Sequence, residues 1–165
     1  MGTIKRFEDI AVWQKAADFD EKLSSLFSYE RFRQDLGLRT QALNSSGSCQ
    51  DNIAEGFERG GNKEFMNFLR ISKGSIGETR GQLRRAIRRG LISESEGELL
   101  ISECISISKQ LSSFITYLKQ SEMKGERYVK EPEAEYATDS NSTEPGTLNL
   151  ESGTLNLESG TLNLE

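Results

Sequence analysis

Apolar residues recur at steps of three and four over four stretches of the chain, the spacing that gives an α-helix one buried face. The first stretch covers about residues 9–27, where Ile10, Trp13, Ala16, Ala17, Leu23 and Phe27 share a seam that Asp20 interrupts. That aspartate is either a helix-edge residue or a buried polar group with a partner. A second, weaker stretch runs over about residues 33–56, its face of Leu36, Leu43, Ile53 and Phe57 diluted by Asn44, Ser45, Ser46, Gly47 and Ser48. Small residues let another backbone come close but lower helix propensity. Arg59-Gly60-Gly61 then reads as a turn, and Asn62 as the N-cap of the next helix.

The third stretch, about residues 63–89, separates its two faces most sharply. At 100° per residue, Phe65, Leu69, Ser72, Ile76, Leu83 and Ile87 fall on one core stripe. Lys63, Arg70, Lys73, Arg80, Arg84 and Arg88 form a line beside it, while Glu64 and Glu78 lie on the far side. Gly90 suits the position just past a helix C-terminus, and Ser93 with Glu96 makes the S-x-x-E capping box that starts another helix. In that fourth stretch Leu100, Cys104, Ile107, Leu111, Phe114 and Leu118 alternate steps of four and three, a coiled-coil-like seam. Ile101, Ile105 and Ile115 widen its apolar arc, which fits either subunit packing or an interior helix. The pattern predicts an all-α domain of four helices within residues 1–130.

Past residue 130 the pattern ends. Residues 131–144 are acidic, contain Pro132 and hold few hydrophobes, and from Pro145 a seven-residue unit, P-G-T-L-N-L-E and then S-G-T-L-N-L-E twice, repeats to Glu165. Two leucines per unit and a glycine in each argue against a coiled coil, so residues 131–165 are expected to form a disordered acidic tail, with a weak β or docking element as the alternative for the repeats. Charge divides at the same place. The net of -5 over 165 residues splits into +3 before residue 131, from 21 Lys and Arg against 18 Asp and Glu, and -8 after it. With no apolar run near the ~20 residues of a membrane span, and no apolar stretch after the first basic residues, the expected location is the cytoplasm.

Histidine is absent, which removes the commonest general base and the commonest metal ligand together. Ferritin-like di-iron sites and the histidine-dependent ribonucleases built on helical bundles are excluded for that reason. Cys49 and Cys104 lack metal-type spacing and read as small buried residues. Glu55 and Glu58 lie close together before glycines, but acid-base work needs a third group or a cleft, so Glu55 reads as an ion-pair partner of Arg59 four residues on. Gly74, Gly77 and Gly81 read as points of close helix contact. No cofactor or metal site is expected. The functional lead is the line Lys63, Arg70, Lys73, Arg80, Arg84 and Arg88, which suits contact with successive phosphates or with an acidic row on a neighbouring helix.

Three strings carry a family resemblance: Phe7-Glu8-Asp9-Ile10-Ala11-Val12-Trp13-Gln14-Lys15-Ala16, Asn52-Ile53-Ala54-Glu55-Gly56-Phe57-Glu58-Arg59-Gly60, and Glu64-Phe65 with Phe68-Leu69-Arg70-Ile71 and Gly74-Ser75. In this order the chain, over about residues 4–120, resembles the bacterial four-helix bundle family encoded in 23S rRNA intervening sequences. That family includes the accessory variability proteins of diversity-generating retroelements. The resemblance implies an antiparallel up-and-down four-helix bundle over residues 4 to about 122, assembled as a homopentamer without catalytic activity or cofactor, and, by the retroelement relatives, a basic surface that binds nucleic acid and a reverse transcriptase. The chain departs from the family pattern in the second helix, where Leu43-Asn44, Ser45-Ser46 and Gln50 stand in place of an arginine pair, an alanine pair and a proline. The expected function is a non-catalytic oligomeric scaffold or adaptor for RNA, DNA or a nucleic-acid enzyme, set against a protein-protein interaction module with no nucleic-acid role.

Overall fold

The structure, a computed structural model, describes residues 4–123. The expected tail at 131–165 lies outside the described residues. Within them the chain forms a 3-10 turn at Phe7–Asp9 and four helices, α1 (Ala11–Leu26), α2 (Leu36–Glu58), α3 (Asn62–Arg88) and α4 (Glu94–Met123), with no β-strand. None of the described helices is long and apolar enough to cross a membrane.

Side-chain bonds between helices show the direction of each pair. Lys15 and Lys22 of α1 reach Ser106 and Glu103 of α4, so rising numbers on one helix meet falling numbers on the other. Ser45 and Ser48 of α2 meet Thr79 and Ser75 of α3 in the same sense, and Phe65 of α3 meets Phe114 of α4 while Arg84 meets Glu98. Each helix packs on two neighbours, α2 and α3 most closely and α1 and α4 least. The result is the antiparallel up-and-down bundle that the resemblance implies, built from the four helices that the periodicity predicts.

Much of the core is built from the predicted faces, with Leu23, Ile53, Leu69, Ile76, Leu83 and Phe114 all buried; Phe19, which the pattern does not single out, joins them, and Leu36 of the expected α2 face is exposed. Phe27 adds a ring stacked on Phe32 at a centroid distance of 4.1 Å, which closes the bundle at the α1–α2 connection. Asp20 is half-buried and accepts a bond from the Gln50 side chain at 3.3 Å, so it is the partnered polar group of the two alternatives.

The weak face of α2 is explained by its partner. Ser45 bonds Thr79 at 2.8 Å, Ser48 bonds Ser75 at 3.2 Å, and Ser72 donates to the Cys49 carbonyl at 2.8 Å. Small hydroxyls on both helices pair with each other, and so occupy positions where α2 shows few hydrophobes. Close approach continues at Gly56, where an added Cβ would overlap Phe68 and stand 3.0 Å from the Phe65 ring.

Two expectations about α3 are corrected. Asn62 is the first residue of α3 and not its cap: Gly61 holds that place at φ 155, with no side-chain cap bond. The three glycines of α3 make no close helix contact among the described residues, since a Cβ on Gly74, Gly77 or Gly81 would meet nothing within 4 Å there. They lie on the solvent side of the helix, away from α2 and α4.

The Ser93–Glu96 capping box forms as expected, with Ser93 Oγ accepting from the Glu96 amide and Glu96 accepting from the Ser93 amide and hydroxyl. These bonds, followed by Arg31 at 3.0 Å, hold the Glu96 carboxyl at about 2, well below its usual 4.5. A depressed carboxylate contributes stability above its unfolded pKa and loses it as pH falls through the folded value. Glu96→Gln is therefore expected to cost stability near neutral pH and progressively less from about pH 4.5 to about 2. Urea midpoints of both proteins across that range test this, and a difference independent of pH would refute it.

Candidate nucleic-acid interface

All six predicted basic residues, Lys63, Arg70, Lys73, Arg80, Arg84 and Arg88, are exposed on α3. The geometry follows from the register of the helix: Phe65, Leu69, Ile76 and Leu83 face inward and carry the basic positions onto the adjoining, outward sector. Between Lys63 and Arg88 the row runs about 37 Å at about 1.5 Å per residue.

The cations differ in how they are held. Arg84 is paired with Glu98 across the α3–α4 boundary, and Arg70 donates to the Asn67 side chain at 2.8 Å. Lys63, Lys73, Arg80 and Arg88 have no acidic partner among the described residues, so half or more of the row is open to an external anion. The other arginines of the region are engaged elsewhere. Arg85 donates to Gln41 at 3.3 Å, Arg89 pairs with Asp35 at the start of α2, and Arg59 is bound by Glu55 at 2.6 Å and Glu64 at 3.1 Å with its guanidinium over the Phe68 ring.

Sequence reasoning missed two further lysines. Glu98, which meets Arg84, marks the side of α4 that borders α3, and Lys109 and Lys119 project from α4 on that same side and are exposed. With Phe65 against Phe114 and Arg84 against Glu98, the antiparallel register sets Lys109 level with Lys73 and Lys119 level with Lys63. Nothing in the α4 sequence alone marks these positions, because their meaning depends on which helix lies alongside. The glycines misread as contacts belong to this face as well: Gly74, Gly77 and Gly81 adjoin the basic row and leave the helix backbone uncovered there.

The remaining candidates are accounted for by structure. Glu55 is the ion-pair partner of Arg59, as the spacing predicts. Among the described residues no group of three His, Cys, Asp or Glu is placed to hold a metal ion. Cys49 and Cys104 are free and buried, and burial pushes each thiol up to about 12, far from the thiolate needed for reactivity. What the geometry can do chemically is present a rigid line of fixed positive charge to a repeating anion.

Residues 8–113 match the family model described as 23S rRNA-intervening sequence protein. Among solved structures, the chain is similar to a protein of unknown function from the S23 ribosomal protein family of Bacteroides thetaiotaomicron VPI-5482. The two share 25% identity at a TM-score of 0.58 over 64% of this chain and 98% of that one. No curated protein matches the chain.

Proposed function

We propose, for a chain that belongs to the 23S rRNA-intervening sequence protein family, that its work is to hold nucleic acid against the basic face of α3. It acts as a non-catalytic scaffold in the cytoplasm, assembled from several copies as a homopentamer, and presents RNA or DNA to a nucleic-acid enzyme such as a reverse transcriptase. The observation that carries the reading is the row itself: Lys63, Lys73, Arg80 and Arg88 stand exposed on one rigid helix without acidic partners among the described residues. A line of unpaired cations is costly to leave facing another cation and useful against phosphates, whose condensed counterions are released on contact. Several copies in one particle multiply that effect without any change in the protomer.

The test is a titration of the full chain with RNA and with DNA over a salt series, with particle mass recorded in the same sedimentation run. Lys73→Glu, Arg80→Glu and Arg88→Glu together are expected to weaken binding by about thirtyfold or more and to flatten the salt dependence. All three side chains are exposed, so the triple variant keeps its fold. Absence of binding by the unaltered oligomer at low salt refutes the proposal.

A second reading rests on a different observation. Leu99 is 70% exposed and Ile105 37% exposed on α4, apolar side chains on two sides of the helix that a protein partner could cover. On that reading the chain is a protein-protein interaction module, and the triple variant changes nothing.

A further inference from the structure

If α3 is a nucleic-acid face, its chemistry also specifies the form of the ligand. Single strands are held by aromatic side chains on which successive bases stack. The rings of α3 and α4 are turned the other way: Phe65 and Phe114 are buried edge to face at 5.5 Å, Phe68 is half-buried under the Arg59 guanidinium, and Tyr117 is half-buried against the core. Among the described residues the exposed aromatic ring is Tyr29, which belongs to the α1–α2 connection. The side chain of Asn67, a group able to read a base edge, accepts from Arg70 through its carbonyl oxygen. Phosphate-binding cations are thus plentiful on this surface, whereas stacking platforms are lacking.

The cations also come in two rows. Lys73, Arg80 and Arg84 are exposed on α3, where Arg84 pairs with Glu98 across the boundary, and the exposed Lys109 and Lys119 fall within about 60° of Glu98 around the α4 axis. Two rows across a boundary suit phosphates from two strands on either side of a groove. At about 1.5 Å per residue the boundary row runs about 16 Å from Lys73 to Arg84 and about 15 Å from Lys109 to Lys119, close to half of the roughly 34–36 Å of one duplex turn. Gly74, Gly77 and Gly81 put no side chain in the way of a broad convex ligand.

We infer that the ligand of this face is double-stranded nucleic acid, gripped through the phosphates of both strands across the α3–α4 boundary, with Lys109 and Lys119 as contacts and with no reading of sequence. The inference rests on the proposed function and narrows it. Duplex RNA and duplex DNA share the chemistry, and the experiment separates them.

The full chain is titrated over a salt series with a duplex RNA of about 20 base pairs, roughly two turns, the DNA duplex of the same sequence, each single strand, and a duplex of scrambled sequence. At least one duplex is expected to bind about tenfold or more tightly than its strands, and the scrambled duplex to match it within about a factor of two. The tighter of the two duplexes, RNA or DNA, identifies the source. Lys109→Glu with Lys119→Glu is expected to lower duplex affinity by about tenfold and the slope of log affinity against log salt by about 2. Lys109→Gln with Lys119→Gln, which adds no repulsion, reproduces the smaller slope. Strands that bind as tightly as the duplex, or lysine variants that leave the slope unchanged, overturn the inference while leaving the proposed function standing. That function fails separately, if none of the probes binds.

Discussion

Phe114→Ala is expected to lower the stability of the bundle by about 3–5 kcal/mol, the range for removing a buried phenyl ring from a core that relaxes only in part. Phe114 is 1% exposed and lies on α4 with its ring edge to face against Phe65 of α3, which itself meets Phe57 of α2 at 6.0 Å. One truncation therefore opens a cavity against α3 and withdraws support from a ring that reaches α2. Edge-to-face pairs add about 0.5–1.5 kcal/mol beyond burial, so the loss belongs at the upper part of the range. Phe114→Leu retains most of the volume and is expected to cost less than half as much. Urea denaturation of both variants measures the difference, and a loss under about 1 kcal/mol for the alanine variant would show that ring to be peripheral.

Gly56→Ala is expected to destabilise by about 2–3 kcal/mol, although alanine is the better helix former by about 1 kcal/mol. The added methyl has nowhere to go. It would overlap the Phe68 Cβ and press on the Phe65 ring at 3.0 Å, and neither is the free end of a flexible side chain. Helices α2 and α3 must separate, which strains the hydroxyl bonds of Ser45 to Thr79 and Ser72 to the Cys49 carbonyl. Gly77→Ala supplies the control: its Cβ meets nothing within 4 Å, so the substitution is expected to stabilise the helix. Opposite signs for one chemical change on neighbouring helices are read directly from two thermal melts. Equal effects would contradict the packing described at Gly56.

The number and order of the helices and most of the core were legible in the sequence, because each helix buries one stripe and that stripe has its own period. The start of α4 was legible too, since Ser93 and Glu96 bond within a single turn and need no tertiary context. What escaped was whatever depends on a neighbour. The serines of α2 look like dilution until Ser72, Ser75 and Thr79 of α3 are set against them. Gly56 and Gly77 look alike as letters, yet one lies under Phe68 and the other faces open space. The basic row of α3 could be found on one helix alone, whereas Lys109 and Lys119 join it only through the antiparallel register of α3 and α4. Asn62 was misplaced by one residue because Gly61 takes the cap position through backbone freedom, without a side-chain bond to advertise it.

The unequal closeness of the four helix pairs has a consequence for how the bundle breathes. The α2–α3 pair is tied by short hydroxyl bonds through its interior, whereas the α1–α4 seam, where the first and last helices meet, is bridged by Lys15 to Ser106 and the more exposed Lys22 to Glu103. Amide protons along that seam are expected to exchange faster than those of α2 and α3, through partial openings in which α1 lifts away while that pair stays together, which hydrogen-exchange rates would show as graded protection. An α1 that leaves its own groove exposes a ready-made slot for the same helix from another molecule. The seam is accordingly the place where strand-like exchange of a whole helix between copies costs least.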